Sequence, residues 1–211
     1  MPHVLITVGS MIFAFSWGGI PVGYIVVKQI KGIDIRKYGS GNIGATNVRR
    51  VLGSSWFFGV FALDAVKGAL PVLITGLVPG FDSLKVILVA ASTIGGNLFS
   101  PWLGFKGGKG ISTSIGVFLV LAPLSVIAST VVFSVALLAL NYMSLACVAG
   151  AIVFPFAIFS AESIRGMEHN QILLLFSTAV AITLTAMERT NITRVLSRTE
   201  PKFFTRSRRT D

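Results

Sequence analysis

Charged side chains are scarce in this sequence of 211 residues, where Asp, Glu, Lys and Arg together make up only 12%. Hydrophobic residues make up 53% and the mean hydropathy is +0.80, a balance that excludes an ordinary water-soluble domain of this size. Acidic residues are the rarest charged type, at 8 against 18 Lys and Arg. The basic residues form no recognition helix and no stripe with interleaved aromatics, so no nucleic-acid partner is expected. The composition predicts an integral membrane protein.

Cysteine and histidine are also nearly lacking, at one and two residues. Cys147 alone cannot form an internal disulfide, and no Ser-His-Asp or Cys-His arrangement for a covalent nucleophile is evident. His3 and His169 are isolated in the sequence, and we expect both to be structural or solvated on the outer side of a membrane. No metal site and no cofactor are predicted.

Seven apolar runs are separated by polar interruptions, and each is a candidate membrane span of roughly 20 residues or somewhat fewer. The runs cover residues 4–27, 55–78, 84–98, 111–121, 124–140, 144–161 and 172–187. Pro123 divides the fourth from the fifth, because an unbroken helix over both would be too long for an ordinary span; six spans are the alternative. Since no repeat or linker divides the chain, we expect one all-α polytopic domain over residues 1–211, with a basic cytoplasmic tail from about 194 to 211.

The basic residues predict the orientation. With the N-terminus outside, all 18 Lys and Arg except Lys67, Lys85 and Arg165 fall on the inner side, as the positive-inside rule requires. Six spans would instead place the basic tail outside, so seven transmembrane helices with a cytoplasmic C-terminus are favoured. This topology puts residues 36–50, 105–110 and 188–194 on the cytoplasmic face, where one composite site is expected.

Residues 105–110, Phe-Lys-Gly-Gly-Lys-Gly, have the composition of a phosphate-binding loop. The glycines permit a sharp turn that presents bare N–H groups, and Lys106 and Lys109 add full positive charge. The helical pattern resumes at Ile111, so a helix N-terminus would add its partial positive charge. The alternative interpretation is a flexible basic turn on the positive-inside surface.

Residues 39–50, Gly-Ser-Gly-Asn-Ile-Gly-Ala-Thr-Asn-Val-Arg-Arg, are crowded with small and polar side chains. Such residues offer short hydrogen-bonding groups on a backbone that a ligand can approach, and Arg50 supplies a planar fork for two phosphate oxygens. The alternative is an ordinary loop with Asx turns and a Thr or Asn helix cap.

Asp64 and Lys67 stand three residues apart in the second run, followed by Gly68 and Pro71, so their side chains share a helix face. Each ionisable group costs about 2.5 to 3.5 kcal/mol near the centre of a membrane helix. The pair either locks the helix to its neighbours or turns Lys67 toward an anionic substrate, and the sequence leaves both roles open.

Together these motifs resemble the bacterial acyl-phosphate:glycerol-3-phosphate acyltransferase family, PlsY. The resemblance covers residues 4 to about 203 and rests on residues 39–50, Asp64-x-x-Lys67-Gly68 with Pro71, residues 99–110, Tyr142-x-Ser144-Leu145 with Phe154-Pro155, and Asn191-Ile192-x-Arg194. It implies a seven-helix enzyme of the bacterial inner membrane that works among membrane lipids without a covalent intermediate. The implied reaction moves a fatty acyl group from acyl phosphate to the 1-hydroxyl of glycerol 3-phosphate, giving lysophosphatidic acid for phospholipid synthesis.

By motif position, the resemblance also implies which residues serve the reaction. Implied catalytic residues are Ser40, Arg50, Lys109 and Asn191. Implied substrate-binding residues are Gly39, Asn42, Thr46, Asn47, Lys67, Lys106, Gly107, Gly108, Gly110, Ser144 and Glu188.

The chain departs from the family pattern at three places. Gly96 and Asn97 stand where the family has a histidine, Asn141 stands for an arginine, and residues 188–191 read Glu-Arg-Thr-Asn instead of His-x-Glu-Asn. Without those histidines, Glu188 or the substrate phosphate is expected to accept the proton. Two alternatives remain. One is a diverged paralogue with another acceptor or weak activity. The other is a transporter of a phosphorylated solute, although such transporters usually show a repeat symmetry that this sequence lacks.

Overall fold

The computed structural model describes residues 2–204, with side chains from Val4 onward, and every regular element in this range is helical. The α-helices are α1 (Pro2–Gly18), α2 (Val22–Lys31), α3 (Ala45–Leu52), α4 (Ser54–Gly76), α5 (Ser83–Leu98), α6 (Ile111–Leu121), α7 (Pro123–Leu140), α8 (Met143–Ile164), α9 (Gln171–Met187) and α10 (Arg189–Leu196). Short 3-10 turns cover Ile35–Lys37 and Pro101–Leu103. The predicted all-α class is confirmed.

Five helical segments are long and apolar enough to cross a membrane: Val4–Lys31, Ser83–Leu103, α4, α7 and α8. Helices α9 and α10 qualify as a sixth span only together, and a bend of 47° separates them. Helix α6 is apolar but has only 11 residues. Each of the seven predicted runs therefore coincides with helix, and a multi-pass membrane protein is confirmed, whereas seven spans and their orientation stay predictions.

The first predicted span is one apolar run in the sequence but two helices in the structure. Helix α1 ends at Gly18 and α2 begins at Val22, directly after Pro21. Proline lacks a backbone N–H, so the helical ladder cannot run through this position unbroken. Apolar periodicity does not reveal such a break, because both helices continue the same hydrophobic character.

The chain forms two compact units, Met1–Pro123 and Leu124–Asp211. One domain over the whole chain stays a prediction. In the first unit, α1 packs against α5 and α4 packs against α6. In the second unit, α8 packs against α9, and α10 lies against both. Gly150 of α8 faces α7, where a Cβ at this glycine would lie 3.3 Å from Cβ of Phe133.

Glycines bring the helix backbones of α4 and α6 into contact. A Cβ on Gly116 would lie 2.7 Å from the carbonyl carbon of Ala65, and one on Gly68 would lie 3.0 Å from the carbonyl carbon of Thr113. Small residues at a helix crossing allow this approach, which supplies close van der Waals packing where lipid offers no hydrophobic driving force. The crossing therefore admits no side chain at these two positions.

Lys67 connects α4 to the break between α1 and α2. Its Nζ donates to the carbonyl oxygen of Ile20 at 2.6 Å and lies 2.7 Å from Oδ1 of Asp64. Lys67 is 4% exposed and Asp64 7% exposed. These contacts correspond to the locking role, the first of the two roles that the sequence left open. They hold the cation inside the helix bundle, paired with its own counter-ion.

We expect Gly116→Val to destabilise the protein by about 1 to 3 kcal/mol, because the new side chain must push the backbones of α6 and α4 apart. Thermal unfolding in detergent measures the effect. Gly59→Val is the matched control, since a Cβ at Gly59 meets no atom within 4 Å. Equal melting temperatures for the two variants would contradict the packing at Gly116.

We expect Lys67→Met to cost about 3 to 5 kcal/mol of unfolding free energy, because it leaves the Asp64 carboxylate buried without its cation. Asp64→Leu combined with Lys67→Met removes both charges and should recover most of the loss. Thermal unfolding of the single and double variants tests this. A double variant no more stable than Lys67→Met would show that the ion pair is not the reason.

Candidate active site

Asn47, in the first turn of α3, organises the loop that precedes this helix, residues 38–44. Its side chain is 1% exposed, and its Oδ1 accepts from the N–H of Ser40 at 2.8 Å. Its Nδ2 donates to the carbonyl oxygens of Tyr38 at 2.9 Å and Asn42 at 2.7 Å. A buried amide satisfied in this way substitutes for the regular backbone ladder that the loop lacks. The structure therefore places Asn47, a predicted substrate-binding residue, against the loop as its support.

Asn42 also acts on the loop itself. Its Oδ1 accepts from the N–H of Gly44 at 2.8 Å, which is an Asx turn. Gly44 occupies the N-cap of α3, where the described residues provide no side-chain cap. The alternative interpretation of this stretch is thus partly right, because it contains an Asx turn, while neither Thr46 nor an asparagine caps the helix.

Ser40, Thr46 and Arg50 are the predicted residues of this stretch that carry a hydroxyl or a charge, and none of them is buried. Ser40 and Thr46 are half-buried and Arg50 is exposed. Thr46 and Arg50 lie four apart on α3 and so share a face. Gly39, with φ of +61°, lies against Oδ1 of Asn47, and a Cβ there would be 3.6 Å from Cδ of Arg50. Arg50 therefore lies beside Gly39, the residue that precedes Ser40.

The other cations of this region are partly compensated. Nη2 of Arg36 lies 2.7 Å from Oδ2 of Asp34, and this hydrogen bond lowers the pKa of Asp34 to about 2. Both groups are therefore charged at neutral pH and offset each other. Burial, together with the neighbouring charge of Arg50, lowers the pKa of Arg49 below its usual value. Arg49 donates to the hydroxyl of Ser54 at 3.3 Å.

The predicted phosphate loop does not present all of its N–H groups, which corrects the expectation from its glycines. Gly107 donates its N–H to the carbonyl of Leu98 at 3.1 Å, and Gly108 donates to that of Asn97 at 2.9 Å. A Cβ on Gly107 would lie 2.6 Å from the Leu98 oxygen. Glycine is therefore needed at position 107, because two backbone segments pack closely together. The N–H groups of Gly107 and Gly108 donate to backbone carbonyls and do not point toward an anion site.

The cations and the helix end of this loop remain as candidate anion-binding groups. Helix α6 begins at Ile111, as predicted, after Gly110 with φ of +81°. Gly110 as the N-cap provides no side-chain cap, and the positive end of the helix dipole is directed at the loop. Lys106 is exposed and Lys109 half-buried.

The two glycine-rich loops meet inside the first unit. A Cβ on Gly108 would lie 3.6 Å from Cγ1 of Ile43, which belongs to the first loop. Ile43 is 5% exposed and forms a core cluster with Val27 and Val48, and Leu103 packs against that cluster. The structure thus places the loop containing Ser40, which leads into α3 and Arg50, next to the loop containing Lys106 and Lys109.

The remaining predicted residues belong to the second unit. Ser144 is the second residue of α8, 2% exposed, and its Oγ has no hydrogen-bond partner among the described residues. Glu188, 3% exposed, joins α9 to α10, and its Oε2 accepts from Nδ2 of Asn191 at 2.6 Å. Oδ1 of Asn191 accepts from Nη2 of Arg194. Glu188 and Asn191 are therefore in direct contact, three residues apart.

Sequence reasoning missed Glu200, an acidic residue in the segment predicted to be a basic cytoplasmic tail. Glu200 is 7% exposed, and its Oε2 accepts from Nε of Arg194 at 2.6 Å. An isolated acidic residue in a strongly basic tail is a weak signal that could have indicated this pairing. The later basic residues of the tail, Arg206, Arg208 and Arg209, lie outside the described residues.

Comparison with known proteins agrees with the resemblance of the motifs. The family model described as glycerol-3-phosphate acyltransferase matches residues 8–198. Proteins named glycerol-3-phosphate acyltransferase include one from Geotalea daltonii, 39% identical over 92% of this chain and 95% of its own. Another, from Syntrophotalea carbinolica, is 36% identical over 92% of this chain and 95% of its own.

Two solved structures have the same fold. The crystal structure of PlsY (YgiH), an integral membrane glycerol 3-phosphate acyltransferase, in its glycerol 3-phosphate form has a TM-score of 0.85 and 33% identity, covering 93% of this chain and 95% of that one. Its lysophosphatidic acid form has a TM-score of 0.82 and 32% identity, covering 93% and 94%. From the length of the family match and the identity of these relatives, the chain belongs to the glycerol-3-phosphate acyltransferase family.

Proposed function

We propose that this membrane acyltransferase transfers a fatty acyl group from acyl phosphate to the 1-hydroxyl of glycerol 3-phosphate. The product is lysophosphatidic acid, and inorganic phosphate is released. The observation that carries the proposal is the meeting of the two glycine-rich loops at Ile43 and Gly108, which gathers cationic residues and a helix N-terminus in one region. Such a region suits substrates that both carry phosphate.

The reaction requires the protein mainly to position the two substrates and to stabilise charge. Acyl phosphate is a mixed anhydride, so its carbonyl carbon is already activated and phosphate is a good leaving group. The acceptor hydroxyl forms the new C–O bond, the bond from the carbonyl carbon to the phosphate oxygen breaks, and the phosphate leaves with the electron pair. The hydroxyl proton passes to Glu188 or to the substrate phosphate. Holding two anions in line and stabilising the developing charge accounts for the remaining catalysis.

We assign the cationic and hydroxyl residues of the first unit to the substrate phosphates. Arg50 provides a two-pronged contact, Lys109 and Lys106 provide point charges, and Ser40 and Thr46 provide short hydroxyl contacts. Asn47, Asn42, Gly107 and Gly108 support these groups through the loop contacts described above, and Gly39 and Gly110 provide the turns. Lys67 supports the helices behind them.

Ser144, Glu188 and Asn191 of the second unit are assigned to the same reaction from the resemblance of their motifs. Two observations support a polar role for them: the buried Ser144 hydroxyl has no partner among the described residues, and the Glu188 carboxylate lies against Asn191. Glu188 replaces the family's histidine, so this chain offers a carboxylate where an imidazole is usual.

We also propose seven membrane crossings, with the N-terminus outside and the basic tail in the cytoplasm of a bacterial cell, in its inner membrane. The support is the distribution of Lys and Arg between the apolar runs. On this topology, both glycine-rich loops face the cytoplasm, where phosphorylated polyols are dissolved.

An acyl-transfer assay on the purified protein tests the function. We expect lysophosphatidic acid and inorganic phosphate from acyl phosphate plus glycerol 3-phosphate, and no product when acyl-CoA is the donor. If product forms with another polyol phosphate but not with glycerol 3-phosphate, the chain is a diverged paralogue. Flux of labelled glycerol phosphate into proteoliposomes without conversion would contradict the enzyme and favour a transporter.

Lys109→Ala and Arg50→Ala should each lower kcat/KM by about 100-fold or more, since each removes a charge that stabilises phosphate in the transition state. The same assay measures the loss. Lys37→Ala, at an exposed lysine near the first loop, and Arg165→Ala, in the turn after α8, are matched controls expected to keep activity. Full activity in either test variant would refute its assignment to the site.

A further inference from the structure

The side-chain amide of Asn191 is held at both ends by charged groups. Oε2 of Glu188 accepts from its Nδ2 at 2.6 Å, and Nη2 of Arg194 donates to its Oδ1. Rotation of the amide by 180° would direct its oxygen at a carboxylate and its NH₂ at a guanidinium. Because both contacts would then be repulsive, the amide has one allowed orientation. It keeps one N–H and one lone pair for a ligand.

Arg194 is itself held by the segment that follows α10. Its Nε donates to Oε2 of Glu200 at 2.6 Å, and the Glu200 side chain is 3% exposed. The N–H groups of Thr199 and Glu200 donate to the carbonyl of Arg194 at 2.8 and 3.1 Å. Arg198, with φ of +57°, reverses the chain between the two partners. The segment therefore folds back on α10 and fixes the guanidinium that fixes Asn191.

The same segment is anchored at its far end. Phe203 donates its N–H to the carbonyl of Asn141 at 2.9 Å, and Phe204 donates to Oδ1 of Asn141 at 2.7 Å. Asn141 lies in the turn between α7 and α8 with φ of +59°, a conformation that asparagine tolerates better than most residues. Asn141 is one of the departures from the family pattern, and its amide here serves to hold the end of the chain.

We propose that residues 197–204, the C-terminal brace, orient Asn191 for acyl transfer, with Glu200, Arg194 and Asn141 as positioning residues that act through it. The brace connects two fixed points of the second unit, the Asn141 turn and α10. The contacts form a chain. The Glu200 carboxylate binds the Arg194 guanidinium, which donates to the Asn191 amide, and this amide donates to the Glu188 carboxylate. This inference rests on the proposed function, because it takes Asn191 to serve the reaction.

Glu200→Gln is the central test, because it keeps the shape and an acceptor oxygen but removes the charge that holds Arg194. We expect kcat to fall by about tenfold or more, as displacement of a reacting group from its productive position does, with an unchanged KM for acyl phosphate. Glu168→Gln, at an exposed glutamate before α9, is the matched control with the same change of charge. Restoration of kcat in Glu200→Asp would support a role of the carboxylate.

A double-mutant cycle separates positioning from general stability. In an Asn191→Ser background, Glu200→Gln should cause little further loss, because the amide that it orients is already gone. In an Arg50→Lys background, the two losses should multiply. Losses that multiply in both backgrounds, or a Glu200→Gln variant with wild-type kcat, would overturn the proposal. If Glu200→Gln does not fold, Arg194→Lys replaces it in the cycle, since lysine keeps the charge but cannot contact Glu200 and Asn191 as a fork.

Hydrogen exchange tests the brace without turnover. The amides of Phe203 and Phe204 should be protected in the wild-type protein, and Asn141→Ala should raise exchange at Phe204 by at least tenfold. Complete exchange of both amides at the earliest time would overturn the brace even in an active enzyme. A protein with protected amides and no acyl transfer would instead refute the proposed function and, with it, the catalytic purpose assigned to the brace.

Discussion

Contact between backbone and backbone, permitted only by glycine, is the constraint on which the first unit depends. At the crossing of α4 and α6, Gly116 lies against Ala65, and at the phosphate loop Gly107 lies against Leu98. The first contact is between two apolar helices and the second between a loop and the C-terminal end of α5, yet both exclude a Cβ for the same steric reason. The same kind of contact thus packs the helices and shapes the loop, so the scaffold and the candidate site depend on the same steric constraint.

Two asparagines organise polar groups in the two units by different means. Asn47 is surrounded by backbone groups of the loop that precedes α3, and its buried amide replaces the ladder that an irregular loop lacks. Asn191 lies between charged side chains, so its amide is oriented by electrostatics as well as by hydrogen bonding. In both cases one amide satisfies donors and acceptors simultaneously, which neither a hydroxyl nor a carboxylate achieves with the same geometry.

Sequence reasoning worked where the physics is local. The apolar runs coincide with helices, α6 begins at Ile111 as predicted, and α7 begins at Pro123, since composition and proline act within a few residues. It did worse where a residue acts on a distant segment. The glycines of the phosphate loop suggested bare N–H groups, but Gly107 and Gly108 donate to Leu98 and Asn97. The partner of Lys67 at Ile20 lies 47 residues away and could not be read from spacing.

The sequence by itself determined that this is a helical membrane protein with two glycine-rich polar motifs, because hydropathy, basic residues and glycine-rich stretches are properties of composition and order. It also carried the family resemblance. Only the tertiary structure decided which polar groups support the protein and which remain for a ligand. That division depends on long-range partners, such as Asn141 for Phe204 and Glu200 for Arg194. Burial favours a pairing such as that of Glu200, since an unpaired polar group in a dry interior is costly, but only the folded chain selects the partner.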